Sequence, residues 1–363
     1  MVLLGDVLEL RHGPMRDALA AARPFFEDLG RALADRASSP PGELVLVAGN
    51  HDHALVEPWL AARGGEREPP SLAVEQLLEA EQVSPATAQI AAWVAPARTR
   101  VAYPGLWLRP DVYATHGHYL DCHLTMPTLE RLSVGAMCRV LGKPASAFAA
   151  VDDYERVGAP LFAWRDAVAR DGRTGAVLNG MATASAWSAL TGEGNHAASS
   201  NGTAAGRSRA KLLRALRRRT LAGLFPLAVA ALNRTGIGPL RADLSLTELR
   251  RAGLLAMGEV AARLDLGDAY VVFGHTHRAG PLPDDTPQEW RGRGGARLVN
   301  CGSWTYSRFF LTGAPGASPY WPGAAVLVED DGPPQVLRLL SDRTHQQLAP
   351  SPRPRVGSAA AST

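Results

Sequence analysis

Asp, Asn and His residues that could hold metal ions occur in four short strings of this chain, each directly after an apolar run that reads as a buried strand. The strings place oxygen and imidazole donors on loops where strands end, and loops of this kind often carry the functional residues of a protein. Ligands from all of these loops could converge on one shared metal site. The strings are Leu3-Leu4-Gly5-Asp6, Gly49-Asn50-His51-Asp52, Thr115-His116-Gly117-His118 and Gly274-His275-Thr276-His277.

The first two strings contain the groups that hydrolysis of a phosphate ester requires. Two metals about 3.5–4 Å apart can neutralise the phosphoryl charge and make a water nucleophilic. Asp6 could bridge such a pair, although a turn-forming Asp after a strand is the alternative. Asn50 offers a neutral carbonyl oxygen to a metal, and His51 is placed to donate to the phosphate or the leaving oxygen. We predict that Asp52 orients the His51 imidazole and raises its basicity, the alternative being an Asn/Asp-rich turn.

The last two strings supply imidazoles. His275 and His277 stand two residues apart, and an extended segment would present both on the same side, towards one metal pair. His116 directly follows its strand and is a third candidate ligand. His118 is a candidate for contact with substrate or for orienting a ligand, and a non-ligating role is equally open. Asp121 is a nearby polar candidate of the same kind, with a solvated loop as the alternative.

In their order along the chain, these strings resemble the calcineurin-like metallophosphoesterases. The resemblance implies hydrolysis of a phosphate ester or pyrophosphate by a metal-bound hydroxide that attacks phosphorus in line, with His51 as the acid or phosphate-binding residue. It implies two divalent ions drawn from Mn, Fe and Zn, because mixed carboxylate, amide and imidazole ligands suit borderline ions. Arg278 resembles a family position behind the site and is a candidate for contact with substrate. The metal ligands implied are Asp6 as the bridging carboxylate, Asn50, His116, His275 and His277.

The family's first motif, an Asp-x-His pair on the first strand, does not occur before Asp6 in this sequence. One metal would then have Asp6, Asn50, His116 and His275, whereas the other would keep only Asp6 and His277. The favoured hypothesis is that the sequence starts at an internal Met and the enzyme has a further strand upstream, because a central edge of a parallel sheet would otherwise be unpaired. The alternative is a catalytically impaired scaffold that binds a phosphorylated ligand or partner.

Within the family, the segment from Leu4 to Leu10 looks closest to the subgroup typified by UDP-2,3-diacylglucosamine hydrolases, in which an acidic residue, here Glu9, follows the Gly-Asp at this spacing. Those enzymes carry a helical insertion before the last His-x-His motif, and it forms a lid over lipid chains. The resemblance therefore implies a phosphorylated small-molecule or lipid-linked substrate.

The chain has 363 residues, of which 46% are hydrophobic and 20% charged, as expected of a globular protein with a substantial core. A helical pattern from Arg16 to Ala34, with Pro24 as a break point, lies between two apolar runs and predicts a parallel strand–helix–strand unit. The predicted fold is an α/β metallophosphoesterase four-layer sandwich of two mixed sheets flanked by helices. The predicted parts are a catalytic domain (1–124 and 266–345, incomplete at its N-terminus), a helical insertion or lid (125–265, with a flexible loop at 191–209) and a disordered tail (346–363).

The insertion is predicted to contain an amphipathic stripe from Leu129 to Val140 and a basic segment, 207–219, with seven Lys and Arg residues and no acid. With the apolar stretch up to residue 232, this segment could contact an anionic membrane surface or guide a phosphorylated substrate, or it could be a solvated helix face. Nucleic acid is not a predicted partner, because no aromatic residues are interleaved with the basic ones. An odd count of three cysteines without a CxxC, and no signal peptide, predict a cytoplasmic protein, with peripheral membrane contact through 207–232 as an option.

Overall fold

A computed structural model describes residues 1–11, 13–35, 42–64, 70–170, 225–307, 311, 314 and 316–348. These residues form an α/β fold with a mixed eight-stranded sheet and a separate two-stranded antiparallel sheet. The strands are β1 (Val2–Leu4), β2 (Glu43–Val47), β3 (Glu75–Glu79), β4 (Arg98–Arg109), β5 (Val112–Thr115), β6 (Tyr270–Phe273), β7 (Ala279–Gly280), β8 (Arg297–Cys301), β9 (Ala324–Leu327) and β10 (Gln335–Arg338). The helices are α1 (Met15–Ala34), α2 (Glu57–Gly64), α3 (Ala80–Val83), α4 (Pro85–Val94), α5 (Leu129–Leu141), α6 (Val151–Arg170), α7 (Leu246–Arg263) and α8 (His345–Leu348), and residues 225–234 are also helical.

The eight-stranded sheet contains two parallel parts that run in opposite directions and meet where β4 pairs with β5. The strands β1, β2 and β4 are parallel to one another, which confirms the predicted pairing of β1 with β2. The strands β5, β6 and β8 are also parallel to one another, but β5 is antiparallel to β4. Val47 at the end of β2 pairs with Ala102, and Thr115 at the end of β5 pairs with Gly105. The carboxyl ends of both parallel parts therefore meet over the middle of β4.

The two faces of the sheet have different partners. Successive side chains of a strand point to opposite faces, so Leu44 and Leu46 of β2 pack with helical residues such as Phe26, while Val45 and Val47 lie in a separate apolar cluster. That second cluster includes side chains of the β9–β10 hairpin, which covers the other face. In the described residues the order of layers is thus helices, the eight-stranded sheet and the hairpin.

Between β5 and β6 the described residues contain helices and no strands, in agreement with the predicted helical character of 125–265. The predicted stripe from Leu129 to Val140 is wrong as the buried face of α5, because Val140 is 82% exposed. The buried face is instead set by close packing of Gly135 on Ile237, where an added Cβ would lie 2.7 Å from the Ile237 side chain. Arg131 on the same face is 4% exposed and donates hydrogen bonds to backbone carbonyls.

Other predictions at the ends of elements have mixed outcomes. Pro24 lies inside α1 without ending it. Residues 346–348, predicted as part of a disordered tail, belong to α8. The predicted flexible loop at 191–209, the basic segment at 207–219 and the tail from 349 onwards lie outside the described residues. Among the helices that the structure describes, none combines the length and apolar character needed to cross a membrane.

Candidate metal centre

Four of the predicted ligands come together where the two parallel parts of the sheet meet. Asp6 follows β1, Asn50 follows β2, His116 follows β5 and His275 follows β6. Ligand atoms of Asp6, His116 and His275 all lie within 4.8 Å of one another. The Oδ1 atom of Asn50 lies 3.2 Å from His116 Nε2 and 3.1 Å from His275 Nδ1. This arrangement is the donor set that the sequence predicted for one of the two metals.

The orientation of the His116 ring shows that this cluster favours a positive charge at its centre. Its Nδ1 lies 2.9 Å from the carbonyl oxygen of Leu4, so Nδ1 carries the proton and donates it there. In the neutral ring, Nε2 then carries a lone pair, which faces Asp6 Oδ2 at 3.3 Å and the Asn50 oxygen. Burial alone would lower the pKa of His116, but the charge of Asp6 and its hydrogen bond raise it to about 9. A positive charge between these atoms is therefore strongly favoured, and either a proton or a metal ion can supply it.

His275 is held between two oxygen atoms. Its Nδ1 faces Asn50, and its Nε2 lies 3.0 Å from Asp121 Oδ2. A carboxylate that accepts the far N–H of an imidazole fixes the ring and makes the near nitrogen a better metal ligand. Asp121 is thus placed to orient His275, which is one of the two roles that the sequence left open for it.

His51 lies beside the cluster, with Glu9 as its partner. Its backbone N–H donates to Asp6 Oδ1 at 2.9 Å, and its Nε2 lies 3.6 Å from Asp6 Oδ2. The other ring nitrogen, Nδ1, lies 2.7 Å from Glu9 Oε2. Burial would raise the pKa of Glu9, but the hydrogen bonds from His51 and Arg11 outweigh it and lower that pKa to about 2. Glu9 is therefore a carboxylate at neutral pH and holds the proton of His51 on Nδ1.

The prediction that Asp52 orients the His51 imidazole is wrong. The Asp52 carboxylate is fully buried and accepts hydrogen bonds from four backbone N–H groups. Its partners are Gly49 N (2.7 Å), Asp6 N (3.2 Å), Val7 N (2.8 Å) and Leu8 N (3.3 Å). The loops after β1 and β2 lack strand partners there, and this one side chain satisfies their donors. Asp52 thus fixes the loops that carry Asp6 and Asn50.

The segment 274–278 is not extended, in contrast to the prediction for the two imidazoles of the last motif. His275 and His277 both have a left-handed backbone, with φ of 61° and 62°. Asp6 has φ of 54°, so three of the four described non-glycine residues with positive φ belong to the predicted ligand set. Such conformations are strained and concentrate at functional sites. His277 is outside the group that meets within 4.8 Å, and burial lowers its pKa to about 4.

The remaining candidates have different surroundings. His118 is buried, and neither ring nitrogen has a hydrogen-bond partner among the described residues. Its ring centroid lies 5.6 Å from that of His116, and burial lowers its pKa well below the usual value. Arg278 is buried in a two-pronged ion pair with Asp285 and donates to the carbonyl of Ala279. Arg278 therefore stabilises the chain behind the site, and the structure does not place it as a substrate contact.

A pocket beside His51 is lined by Arg11, Asn50 and His53 and, from α6, by Phe162 and Asp166. A helix of the predicted insertion thus borders the pocket next to the candidate ligand Asn50. The Arg11 guanidinium in this pocket donates to Glu9, and the carboxylates of Glu57 and Asp166 also line it.

Sequence reasoning missed the role of Glu9 as the partner of His51. The only signal was an acidic residue three positions after Asp6, and nothing local indicated that it would reach a histidine 42 positions later in the chain. Comparisons of the chain with protein-family models, with curated proteins and with solved structures found no match. The functional assignment therefore depends on the motifs and on the geometry of the site.

Proposed function

We propose that this chain is a metal-dependent phosphoesterase of the calcineurin-like type, with Asp6, Asn50, His116 and His275 as ligands of one divalent ion. The observation that carries the proposal is the Nε2 lone pair of His116, which faces the Asp6 carboxylate and the Asn50 oxygen at hydrogen-bonding distance. Three acceptor atoms in such proximity favour a positive charge between them, which a divalent ion can supply in place of a proton. Carboxylate, amide and imidazole donors suit Mn, Fe or Zn. The family's four-layer sandwich is the finer fold that we propose for the chain.

A bound divalent ion would polarise a phosphoryl oxygen and lower the pKa of a water molecule. The protein's own residues account for the rest of the reaction. Glu9 keeps the His51 proton on Nδ1, so Nε2 faces the Asp6 side of the site and can exchange a proton with a substrate oxygen. Asp121 keeps His275 in its ligating orientation. His277, with Asp6, is our candidate for holding a second ion.

The substrate that we propose is a phosphate ester or pyrophosphate on a small molecule or a lipid. The pocket supports this choice, because the Arg11 guanidinium, a group that can donate to phosphate oxygens, lines it together with His51 and Asn50. Phe162 in the same pocket offers an apolar surface for the rest of the substrate. Contact of the basic segment with an anionic membrane remains a prediction from the sequence.

The direct test is metal content together with Mn²⁺-dependent hydrolysis of an aryl phosphate monoester and diester. We expect the wild-type chain to bind Mn²⁺ and hydrolyse at least one of the two esters. Asp6→Asn should abolish both properties, because it removes the charge that the ligand cluster shares. Asp111→Asn is the matched control, since Asp111 is an ion-paired carboxylate of the turn between β4 and β5.

Two results would decide against this proposal. If the wild-type chain binds no metal, the site is not a metal centre. If it binds metal at the Asp6 cluster but hydrolyses neither ester, the non-catalytic phosphoesterase-like scaffold becomes the better assignment.

A further inference from the structure

A buried carboxylate of the helical insertion joins three parts of the catalytic region. Glu155 of α6 is 8% exposed. Its Oε1 accepts hydrogen bonds from the hydroxyls of Tyr103, at 2.7 Å, and Tyr119. Its Oε2 lies 3.3 Å from Nε2 of His53. All three partners are at most 5% exposed, so the whole network is shielded from water.

The partners of Glu155 belong to the segments that position the metal ligands. His53 begins a short 3-10 turn that directly follows the loop of Asn50 and His51. Tyr119 lies in the 3-10 turn His118–Cys122, which also contains Asp121, the residue that orients His275. Tyr103 lies in the middle of β4, between the ends of β2 and β5. One side chain thus contacts the turn after the Asn50 loop, the turn after His116 and the strand beneath them.

Other residues on the same face of α6 contact the same two turns. The Tyr154 ring stacks on Tyr119 with centroids 4.6 Å apart and an angle of 13°. The Phe162 ring lies 4.9 Å from that of His53 and 5.5 Å from that of His118. This face of the helix therefore packs on both turns, and Glu155 supplies its charged contact.

Burial of a carboxylate is costly unless its oxygens accept hydrogen bonds. Burial would raise the pKa of Glu155, yet the contacts with His53 and the two tyrosine hydroxyls outweigh it and lower that pKa below its usual value. The Glu155 carboxylate therefore has hydrogen-bond partners for both of its oxygens, and these contacts restrict the positions that the three partner side chains can take. Removal of the charge would free the two turns to move relative to each other, and the ligands with them.

We propose that Glu155 is a positioning residue of the metal centre, which fixes the loop of Asn50 and the turn of Asp121 so that a divalent ion binds tightly only with the insertion helix docked. This inference rests on the proposed function, because it assumes that the Asp6 cluster binds a metal. It adds that α6, although it contributes no ligand, determines the affinity of the site.

The test is the Mn²⁺ affinity of the full chain, measured by calorimetric titration at 25 °C, where each variant is first shown to be folded. We expect Glu155→Gln to weaken Mn²⁺ binding about 10- to 100-fold, the effect typical of residues that orient metal ligands. Asp153→Asn is the matched control. Asp153 is a buried carboxylate of the same helix that contacts Lys143 and the Ala149 N–H, away from the two turns, and its loss should leave the affinity unchanged.

Tyr119→Phe is the second variant, and it keeps the proposal testable if Glu155→Gln does not fold. It preserves the ring that stacks on Tyr154 and removes only the hydroxyl that donates to Glu155. We expect roughly a 3- to 10-fold loss of affinity, comparable to one hydrogen bond. Wild-type affinity in both variants, or an equal loss in Asp153→Asn, would overturn the inference while leaving the proposed function intact. A wild-type chain that binds no Mn²⁺ would overturn both.

Discussion

His51 and Glu9 form a pair in which a carboxylate fixes the tautomer of an imidazole beside the candidate metal ligands. The contact is short, at 2.7 Å, and Arg11 donates to the same carboxylate. Because Glu9 is ionised in the folded state down to a pH of about 2, the pair persists across the neutral range. At this scale the protonated ring nitrogen of His51 is set by the carboxylate that reaches it, which is Glu9.

The Glu9 contact predicts a specific pH dependence of stability. The pKa of Glu9 is about 2 in the folded protein and has a usual value of 4.5. A lowered folded pKa stabilises the fold above the unfolded pKa, and this stabilisation is lost as the pH falls. We expect wild type to be more stable than Glu9→Gln above about pH 4.5 and the difference to shrink between pH 4.5 and 2. Urea unfolding of both metal-free proteins between pH 2 and 7 measures this difference in unfolding free energy. A difference that does not change with pH would show that the pKa of Glu9 is not lowered in the folded protein.

The contacts of Asp52 predict an effect on stability, because its carboxylate accepts hydrogen bonds from backbone N–H groups. Asp52→Asn replaces one oxygen with an NH₂ group and leaves two buried donors without an acceptor, so we expect a loss of about 1–3 kcal/mol in unfolding free energy. Folded Asp52→Asn protein should hydrolyse esters better than His51→Asn protein. If Asp52→Asn instead has wild-type stability and no activity, the original interpretation of Asp52 as the partner of His51 would be correct.

At the scale of elements, the loops after the strands approach each other so closely that glycine is required. A Cβ on Gly49 would lie 2.8 Å from the Asp6 backbone nitrogen and 2.9 Å from Cδ2 of the His116 ring. A Cβ on Gly5 would contact the same ring at its Nδ1 atom. The backbones of the loops after β1 and β2 therefore pack directly against the His116 side chain. Asp6, Asn50 and His116 can lie this close together only because Gly5 and Gly49 have no Cβ atom.

Gly49→Ala tests this packing. The added methyl group must displace Asp6 or His116, so we expect a loss of about 1–3 kcal/mol in stability, as for other overpacked sites, together with weaker Mn²⁺ binding. Gly64→Ala is the control, because Gly64 ends α2 on the surface with nothing within 4 Å of the new atom. The control should bind Mn²⁺ as wild type does. Normal Mn²⁺ affinity in Gly49→Ala would show that the loops can separate without affecting the site.

At the scale of the whole molecule, the candidate centre connects the two parallel parts of the sheet. Asp6 and Asn50 come from the part that contains β1 and β2, whereas His116 and His275 come from the part that contains β5 and β6. In the covalent structure these parts are joined through β4 and the turn that connects it to β5. A bound ion would add a direct link between them and would bind the folded chain much more tightly than the unfolded one.

This link predicts that metal stabilises the protein by mass action. At a Mn²⁺ concentration of 100 times Kd, the unfolding free energy should rise by about 2.7 kcal/mol, and EDTA should reverse the effect. Thermal unfolding with and without Mn²⁺ measures the shift in Tm. Asp6→Asn should show no shift. An equal shift in that variant would place the ion elsewhere in the molecule.

The sequence by itself determined the donor types and the positions of the strands that carry them. Short apolar runs followed by Asp, Asn or His are local signals, and β1, β2, β5 and β6 each end inside one of the four strings or within two residues of it. The α/β class also follows from these local patterns. The meeting of the four candidate ligands does not, because β1 and β2 run opposite to β5 and β6, and their carboxyl ends come together only through the pairing of β2 and β5 with different halves of β4.

Only the tertiary structure decided which side chains support the candidate ligands. Glu9 rather than Asp52 holds His51, Asp121 holds His275, and Glu155 reaches His53 from 102 positions away in the chain. These contacts depend on how β2 and β5 pair along β4 and on where α6 docks, and neither is encoded in a local pattern. The left-handed backbone at His275 and His277 is likewise a product of packing, since local preference would disfavour it.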